Sequence, residues 1–149
     1  MRLRLLLFLT LALTLTACGF SKKLEKSGPV VAEFHALFND QDFDTIYDTL
    51  TSEELRASQP RDKFVAVLKK IRYHMGAFKA ASRSGYNFRT SIDEANTLSL
   101  TYNAQFANGE GIERFTFVES GEKLLISAYN VNSQALLIEP KENDLEIAI

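Results

Sequence analysis

The sequence predicts an α+β domain in which three helices precede, and cover, an antiparallel sheet of about four strands. Between residues 28 and 76, apolar side chains recur at intervals of three and four, the spacing of a helix with one buried face. From residue 78 the interval changes to two, the spacing of a strand with one buried face. The turn sequences Asn108-Gly109 and Ser120-Gly121 divide this second half into strands.

Each of the three helices has its own start or stop signal. Ser27 and Pro29 mark the start of the first helix, and its apolar positions are Val30, Val31, Phe34, Leu37 and Phe38. A second, short helix groups Phe43, Ile46, Tyr47 and Leu50 on one face, and Thr51 or Ser52 caps the turn that follows. Pro60 opens the third helix and Gly76 closes it. The apolar positions of the third helix are Phe64, Val67, Leu68, Ile71 and Met75.

The strands are predicted from alternation. The clearest strand has an inner face of Leu98, Leu100, Tyr102, Ala104 and Phe106. The Asn108-Gly109 turn preserves this phase, so Phe115 and Phe117 face inward as well. The same argument places Leu124, Ile126 and Ala128 inward, and Tyr129 and Val131 outward. Before these strands, one phase is shared by Phe78, Ala80, Tyr86 and Phe88, with a bulge or bend expected at Ser84-Gly85.

The N-terminus has the three parts of an export signal. Arg2 and Arg4 supply positive charge, residues 5–15 are almost wholly apolar, and small residues precede the expected cleavage point. The apolar stretch is too short to cross a bilayer, which needs about 20 residues. We therefore expect residues 1–17 to be a signal peptide that is removed.

The residues around the cleavage point, Leu15-Thr16-Ala17-Cys18, resemble the lipobox of bacterial lipoproteins. The resemblance implies that diacylglycerol is attached to the Cys18 sulfur and that the new amino terminus is then usually acylated too. One chain binds a membrane only marginally, whereas two or three make a lasting anchor. Gly19 stands where an aspartate would suggest inner-membrane retention in enteric bacteria, so we expect attachment to the outer membrane, facing the periplasm. The alternative is an ordinary cleaved signal that leaves a free thiol.

Removal of the signal peptide leaves 132 of the 149 residues, the size of one domain. Residues 18–27 are polar and basic and predict a lipidated tether, residues 28–133 the folded domain, and residues 134–149 an acidic tail. The full chain carries 17 Lys and Arg against 19 Asp and Glu, and the loss of Arg2 and Arg4 brings its net charge from −2 to −4. This balance does not favour a nucleic-acid partner. Cys18 is the only cysteine, so no disulfide framework is expected.

The order of the elements resembles the NTF2-like, cystatin-like superfamily. The shared features are the helical opening from Phe34 to Leu50, the third helix, and an antiparallel sheet whose last strand runs from Gly121 to Tyr129. Small secreted or lipoprotein members, such as DUF4019-type and DUF3887-type domains of unknown function, are similar over roughly residues 28–133. Leu124 stands where those members often have a tryptophan. The resemblance implies a sheet curved into a cone around the helices, with an open end that can hold a ligand.

Four residues are candidates to line such a pocket: Tyr47, Tyr86, Tyr102 and His74. A phenol on an apolar wall can donate to a carbonyl ligand, and a histidine at its rim can move a proton. The plainer interpretation makes the tyrosines core residues and His74 a helix C-terminal residue. His35 is expected on a flank of the first helix, at the boundary between its buried and exposed faces. No carboxylate at ligand spacing makes a metal site with the histidines. Glu113 and Glu119 share the inner phase but are expected to be solvated at strand ends.

The functional prediction rests on the absence of catalytic motifs and on the outer sheet face. The sequence has no nucleophile-elbow serine and no glycine-rich phosphate loop, so no enzyme class and no cofactor is predicted. The outer face is more apolar than a solvated face needs to be; its apolar members are Ile112, Val118, Leu125, Tyr129 and Val131. We expect a noncatalytic, membrane-anchored module that binds another envelope protein or a second copy through this face. The alternatives are a small-molecule-binding or catalytic cone, and an outer face covered by residues 136–138.

Overall fold

The computed structural model describes residues 17–91 and 95–137 and has the predicted α+β fold. Helices occupy the first half, and a curved, open sheet of four antiparallel strands in the order β1-β2-β3-β4 follows. Residues 1–16 of the predicted signal peptide and residues 138–149 of the predicted tail lie outside the described residues. Among the described helices, none is long and apolar enough to cross a bilayer.

The helices follow the predicted order, with capping residues at two short ones. Their bounds are α1 (Ala17–Asp40), α2 (Phe43–Thr45) with a π-helical turn over Ile46–Leu50, α3 (Glu53–Ser58) and α4 (Arg61–Met75). Asp42 caps α2 by accepting from the Thr45 N–H, and Ser52 caps α3 by accepting from the Leu55 N–H. On α4, Val65 is buried and Val67 is 46% exposed, so the apolar face predicted through Val67 was wrong at that position.

The first helix is longer than predicted. Instead of starting near Ser27, α1 begins at Ala17 and continues through Pro29. Proline has no N–H, so the helix lacks one backbone hydrogen bond there, while the Ser27 hydroxyl donates to the Leu24 carbonyl oxygen at 2.7 Å. The segment 18–27, predicted as a tether, is therefore part of the helix that enters the domain.

The strands form a simple meander. Their bounds are β1 (Phe78–Arg89), β2 (Thr97–Phe106), β3 (Gly109–Ser120) and β4 (Lys123–Asn132), and a 3₁₀ turn over Gln134–Leu137 follows. The pairing of Leu100 with Phe115 and of Leu98 with Phe117 confirms the phase predicted across the Asn108-Gly109 hairpin.

A bulge in β4 reverses the predicted phase of its second half. Phe117 pairs with Ile126, but Phe115 pairs with Tyr129, so Ser127 is an extra residue on β4. Beyond this bulge, Tyr129 and its neighbour Val131 lie on the inner face and Ala128 lies on the outer face. The predicted sides of these three residues, Tyr129, Val131 and Ala128, were therefore wrong.

The edge strand β1 is irregular at two places. The register shifts between Arg83 and Gly85, at the predicted bend, and again between Phe78 and Ala80. Because of the second shift, Ala80 pairs with Gln105 of the outer face, so its grouping with Phe78 was wrong.

Aromatic side chains fill the space between α1 and the inner face. Phe34 and Phe38 of α1 stack at 6.3 Å, and Phe115 meets Phe34 edge-on at 5.1 Å. Phe117 continues the cluster, stacked at 6.1 Å on Phe115. These rings are buried, so the interior of the curved sheet is occupied by the protein's own side chains.

The two ends of the sheet contact different parts of the helices. At one end, the start of α1 lies beside the β3–β4 turn, where Lys23 Nζ is 2.9 Å from Glu119 Oε2. The same ammonium lies 4.9 Å from the centre of the Phe88 ring. Lys26 donates to the Glu122 carbonyl oxygen at 3.0 Å. We call this the N-terminal end of the molecule.

The opposite end carries the β2–β3 hairpin, and we call it the hairpin end. The Asn39 amide donates to the Phe78 carbonyl oxygen at 3.0 Å and accepts from the Phe78 N–H at 2.8 Å, joining the end of α1 to the start of β1. The Asn108 N–H donates to the Met75 carbonyl oxygen at 2.9 Å. Gly76, at a φ of +77°, ends α4 as predicted.

Candidate functional site

Two of the four predicted pocket residues lie on the inner sheet face, at different depths. Tyr86 pairs with Leu100 and Tyr102 pairs with Glu113, which places both phenols on that face. Tyr86 is 60% exposed on the edge strand, whereas Tyr102 is half-buried. The prediction that Tyr86 faces an enclosed pocket was therefore wrong.

The other two pocket candidates belong to the helices. Tyr47 is buried, and its hydroxyl donates to the Gln59 carbonyl oxygen at 3.1 Å, so it ties the π-helical turn to the end of α3. His74 lies in the last turn of α4, where its own carbonyl oxygen accepts from the Asn108 amide at 3.3 Å. These contacts match the plainer structural roles, and the four residues do not line one cavity.

A polar cluster lies inside the aromatic core instead. Glu113 is fully buried, and its two carboxylate oxygens have different partners. Oε2 is hydrogen-bonded to His35 Nε2 at 2.9 Å, and Oε1 accepts from the Tyr129 hydroxyl at 2.7 Å. The expectation that Glu113 is a solvated strand-end residue was wrong, and so was the boundary position of His35, which is only 6% exposed.

The elements that carry this polar cluster explain how it forms. His35 follows Phe34 on the face of α1 that packs against the sheet. Glu113 sits within β3 on the inner face, opposite Tyr102 and Val131. The β4 bulge then brings Tyr129 to the same face. One inserted residue in an edge strand thus completes the cluster.

Packing fixes the orientation of the imidazole. The His35 ring stacks on Phe78 with centroids 3.5 Å apart and planes 6° apart. Phe34 and Phe115 meet it edge-on at 5.8 and 5.7 Å. Aromatic contacts on several sides hold the ring so that Nε2 points at Glu113.

Burial keeps the two neighbouring phenols protonated. It raises the pKa of Tyr129 well above the ordinary tyrosine value, and the charge of Glu113 and the hydrogen bond to it raise that pKa further. Burial also raises the pKa of Tyr102, where Arg83 opposes the shift and Glu113 adds to it. Both hydroxyls are therefore donors at neutral pH.

The polar cluster meets the surface along a groove between α1 and β1. This groove has a volume of about 670 Å³, and His35 and Tyr102 both line it. Its helical wall includes the small residues Gly28, Ala32 and Ala36, which recur at the four-residue spacing of one helix face, and Val31, His35 and Asn39 beside them. We call it the α1–β1 groove.

The predicted interaction face is smaller than expected. Tyr129 and Val131 lie on the inner face, and Val118 is buried. Leu125 is half-buried, and Ile112 is 49% exposed on the outer face.

A second groove lies on this outer face near the hairpin end. Its volume is about 610 Å³, and its apolar lining includes Ala80, Ile112 and Leu137, the last of which is 77% exposed. Its polar lining is mostly uncharged, with the amide side chains Asn103, Gln105, Asn132 and Gln134. We call it the outer groove.

A metal centre has no support in the described part of the chain. Across residues 17–91 and 95–137, no group of three or more His, Cys, Asp and Glu side chains is placed to hold an ion. His35 and Glu113 form a pair whose contacts are with aromatic residues and Tyr129.

Comparison with known proteins does not assign the chain to a family. The sequence matches no protein-family model, and no curated protein shows significant similarity to it. Membership of the NTF2-like superfamily and lipid attachment at Cys18, which lies in the first turn of α1, both stay predictions.

Proposed function

We propose that this chain is a noncatalytic envelope lipoprotein, anchored through Cys18, that binds an extended segment of another envelope protein in the outer groove. One observation carries the proposal: the outer groove and the start of α1 lie at opposite ends of the sheet. An anchor at the N-terminal end would leave the groove turned away from the membrane and open to the periplasm.

The helix that bears the predicted lipid is attached directly to the sheet. Cys18 precedes Lys23 by five residues, about 7.5 Å of helix, and Lys23 is paired with Glu119. Ile112 is seven residues from Glu119 along β3, which is about 24 Å of strand. The groove would therefore be held some way above the lipid headgroups.

The lining of the outer groove suits a peptide. Amide side chains both donate and accept hydrogen bonds, as a peptide backbone does, and Ile112 and Leu137 offer exposed apolar surface. Glu110 is the only charged side chain among the described residues that line it. A partner segment with apolar and uncharged side chains fits this lining.

Site-specific photocrosslinking in cells tests the proposal. A photoreactive amino acid replaces Gln105 in the groove or, as the control, Ser99, which lies on the same strand and face about 20 Å away. We expect a discrete crosslinked species from position 105 and none from position 99. Adding Ile112→Asp should remove the species. No adduct at position 105, or the same adduct from both positions, would contradict the proposal.

The anchor is tested separately. We expect Cys18→Ala to block lipidation and cleavage at this site, because the thiolate is the group that accepts the lipid. Mass spectrometry of the purified protein reads out both events. A variant that is still acylated and correctly cleaved would contradict the assignment of Cys18.

A further inference from the structure

Burial of the His35–Glu113 pair carries a free-energy cost that a pair of apolar side chains would not. Removing a carboxylate from water costs several kcal/mol, and well-packed apolar residues often stabilise a core as well as a buried polar pair does. Glu113 is nevertheless fully buried among aromatic rings. His35 brings this cluster to the surface in the α1–β1 groove.

The exposed part of the groove's helical wall is made of small apolar residues. Ala32 and Ala36 are exposed on α1, and a side chain built on Gly28 would meet no atom within 4 Å. Phe78 forms part of the floor and is itself stacked on His35. From Gly28 to Asn39 the helix provides a wall about 17 Å long. An apolar body of moderate length fits against it.

The strand side of the groove carries a cation and a hydroxyl, Lys79 and Tyr102. Among the described residues that line the groove, Lys79 and His35 are the side chains that can carry a positive charge, and none is Asp or Glu. Arg83 pairs directly with Tyr102 across β1 and β2 and lies on the same sheet face, where its charge acts on the Tyr102 phenol. The buried Glu113 acts on that phenol with the opposite sign, but both of its oxygens are bonded to His35 and Tyr129. A donor hydroxyl beside a lysine, with an arginine on the same face, suits an anion.

We propose that the α1–β1 groove binds a small monocarboxylic acid with an apolar body. The carboxylate is placed at Tyr102 and Lys79, on the sheet face that also carries Arg83, and the apolar body lies along Ala32 and Ala36. His35, held by Glu113, forms the polar floor between these two parts. The outer groove shares Ala80 and Ala81 with this site but none of the residues that bind the acid in the proposal, so either proposal can fail without the other.

Calorimetric titration with octanoate tests the site, with octanol as the neutral ligand of matched length. The mature protein is held in lipid nanodiscs, and empty nanodiscs are the blank. We expect saturable binding of octanoate and at least about tenfold weaker binding of octanol, since octanol cannot engage the cations. Equal binding of the two ligands, or no saturable binding of octanoate, overturns the proposal.

Two variants locate the binding. Ala32→Leu fills the groove with a good helix former and should weaken octanoate binding by about tenfold or more, whereas Ala66→Leu, at an exposed position of α4, should not change it. Arg83→Gln should weaken binding about threefold, the effect of one exposed ion pair. Should Ala32→Leu fail to fold, Arg83→Gln and Tyr102→Phe decide the matter, and unchanged affinity in both overturns the proposal.

Discussion

The inner and outer faces of the sheet both carry polar side chains, but in opposite situations. On the inner face, Glu113 has both carboxylate oxygens bonded to neighbours and is sealed by aromatic rings. On the outer face, Asn103 and Gln105 line an open groove, where the Gln105 amide donates to Glu110 at a long 3.5 Å. Polar groups that are hydrogen-bonded inside the core fix the positions of the side chains around them. Polar groups that face an open groove can form hydrogen bonds with a partner. Substitutions on the two faces should therefore differ in what they change.

The largest difference is expected between two residues of β3. Phe117→Ala truncates a fully buried ring and should lower the free energy of unfolding by about 3 to 5 kcal/mol. Ile112→Ala, on the outer face, should change it by about 0.5 kcal/mol or less because the site is half exposed. Chemical denaturation measures both. Similar losses for the two variants would show that the outer face is part of the core.

The buried pair should behave as a unit. His35→Ala leaves Glu113 buried without one partner and should cost about 3 to 5 kcal/mol. The double variant His35→Leu, Glu113→Leu should be less destabilised than His35→Ala, since no charge is then left in the core. His74→Ala is the control and should have little effect. A double variant destabilised as much as His35→Ala, or more, would mean that the loss does not come from leaving Glu113 without its partner.

Ionisation of Tyr129 should lower the free energy of unfolding at high pH. Its pKa is raised in the folded state, so its contribution is complete below pH 10, the ordinary tyrosine value, and is lost as the pH rises toward the folded-state pKa. Above pH 10, the wild type should lose up to about 1.4 kcal/mol per pH unit more than Tyr129→Phe does. At pH 7, Tyr129→Phe should cost about 1.5 to 3 kcal/mol, as expected for a hydrogen bond to a charged acceptor.

The control for Tyr129→Phe is Tyr73→Phe, because Tyr73 is 52% exposed on α4. The free energy of unfolding of Tyr73→Phe should change with pH in the same way as that of the wild type across the alkaline range. If the difference between wild type and Tyr129→Phe stays constant from pH 7 to pH 11, Tyr129 does not titrate against folding.

The smallest effect is expected at the N-terminal end. Lys23→Gln removes the ion pair with Glu119 and should lower the free energy of unfolding by about 0.5 kcal/mol at low salt. The effect should shrink in 1 M salt, because the Glu119 side chain is 45% exposed and its charge is screened. Lys63→Gln on α4 serves as the matched control. A loss of several kcal/mol would show that this contact is part of the core.

The sequence predicted the elements of the fold well and the edges of the sheet poorly. The turn at Asn108-Gly109 gave the correct phase for β2 and β3, because a tight hairpin determines which residues oppose each other. The β4 bulge at Ser127 has no glycine or proline to signal it. Tyr129 was therefore predicted on the wrong face, although Leu124 and Ile126 before the bulge were placed correctly.

The candidate site was only partly accessible to sequence reasoning. The inner phase of Glu113 was visible in the alternation, but its burial depends on α1 crossing that point of the sheet. His35 is next to Phe34 in sequence, and only the packing of α1 shows that it faces Glu113. A buried carboxylate needs a partner from another element, and such a partner is not encoded locally.

The continuity of α1 through Pro29 has a consequence for how the protein would meet its partners. With lipid on Cys18, the helix packed onto the sheet would hold the domain at a fixed height and tilt above the membrane. A flexible linker would let the domain rotate much more freely. The outer groove would then stay at one height above the bilayer as the anchored protein diffuses laterally. A partner presented at that level would be met by a two-dimensional search, and one held nearer to or farther from the membrane would be missed.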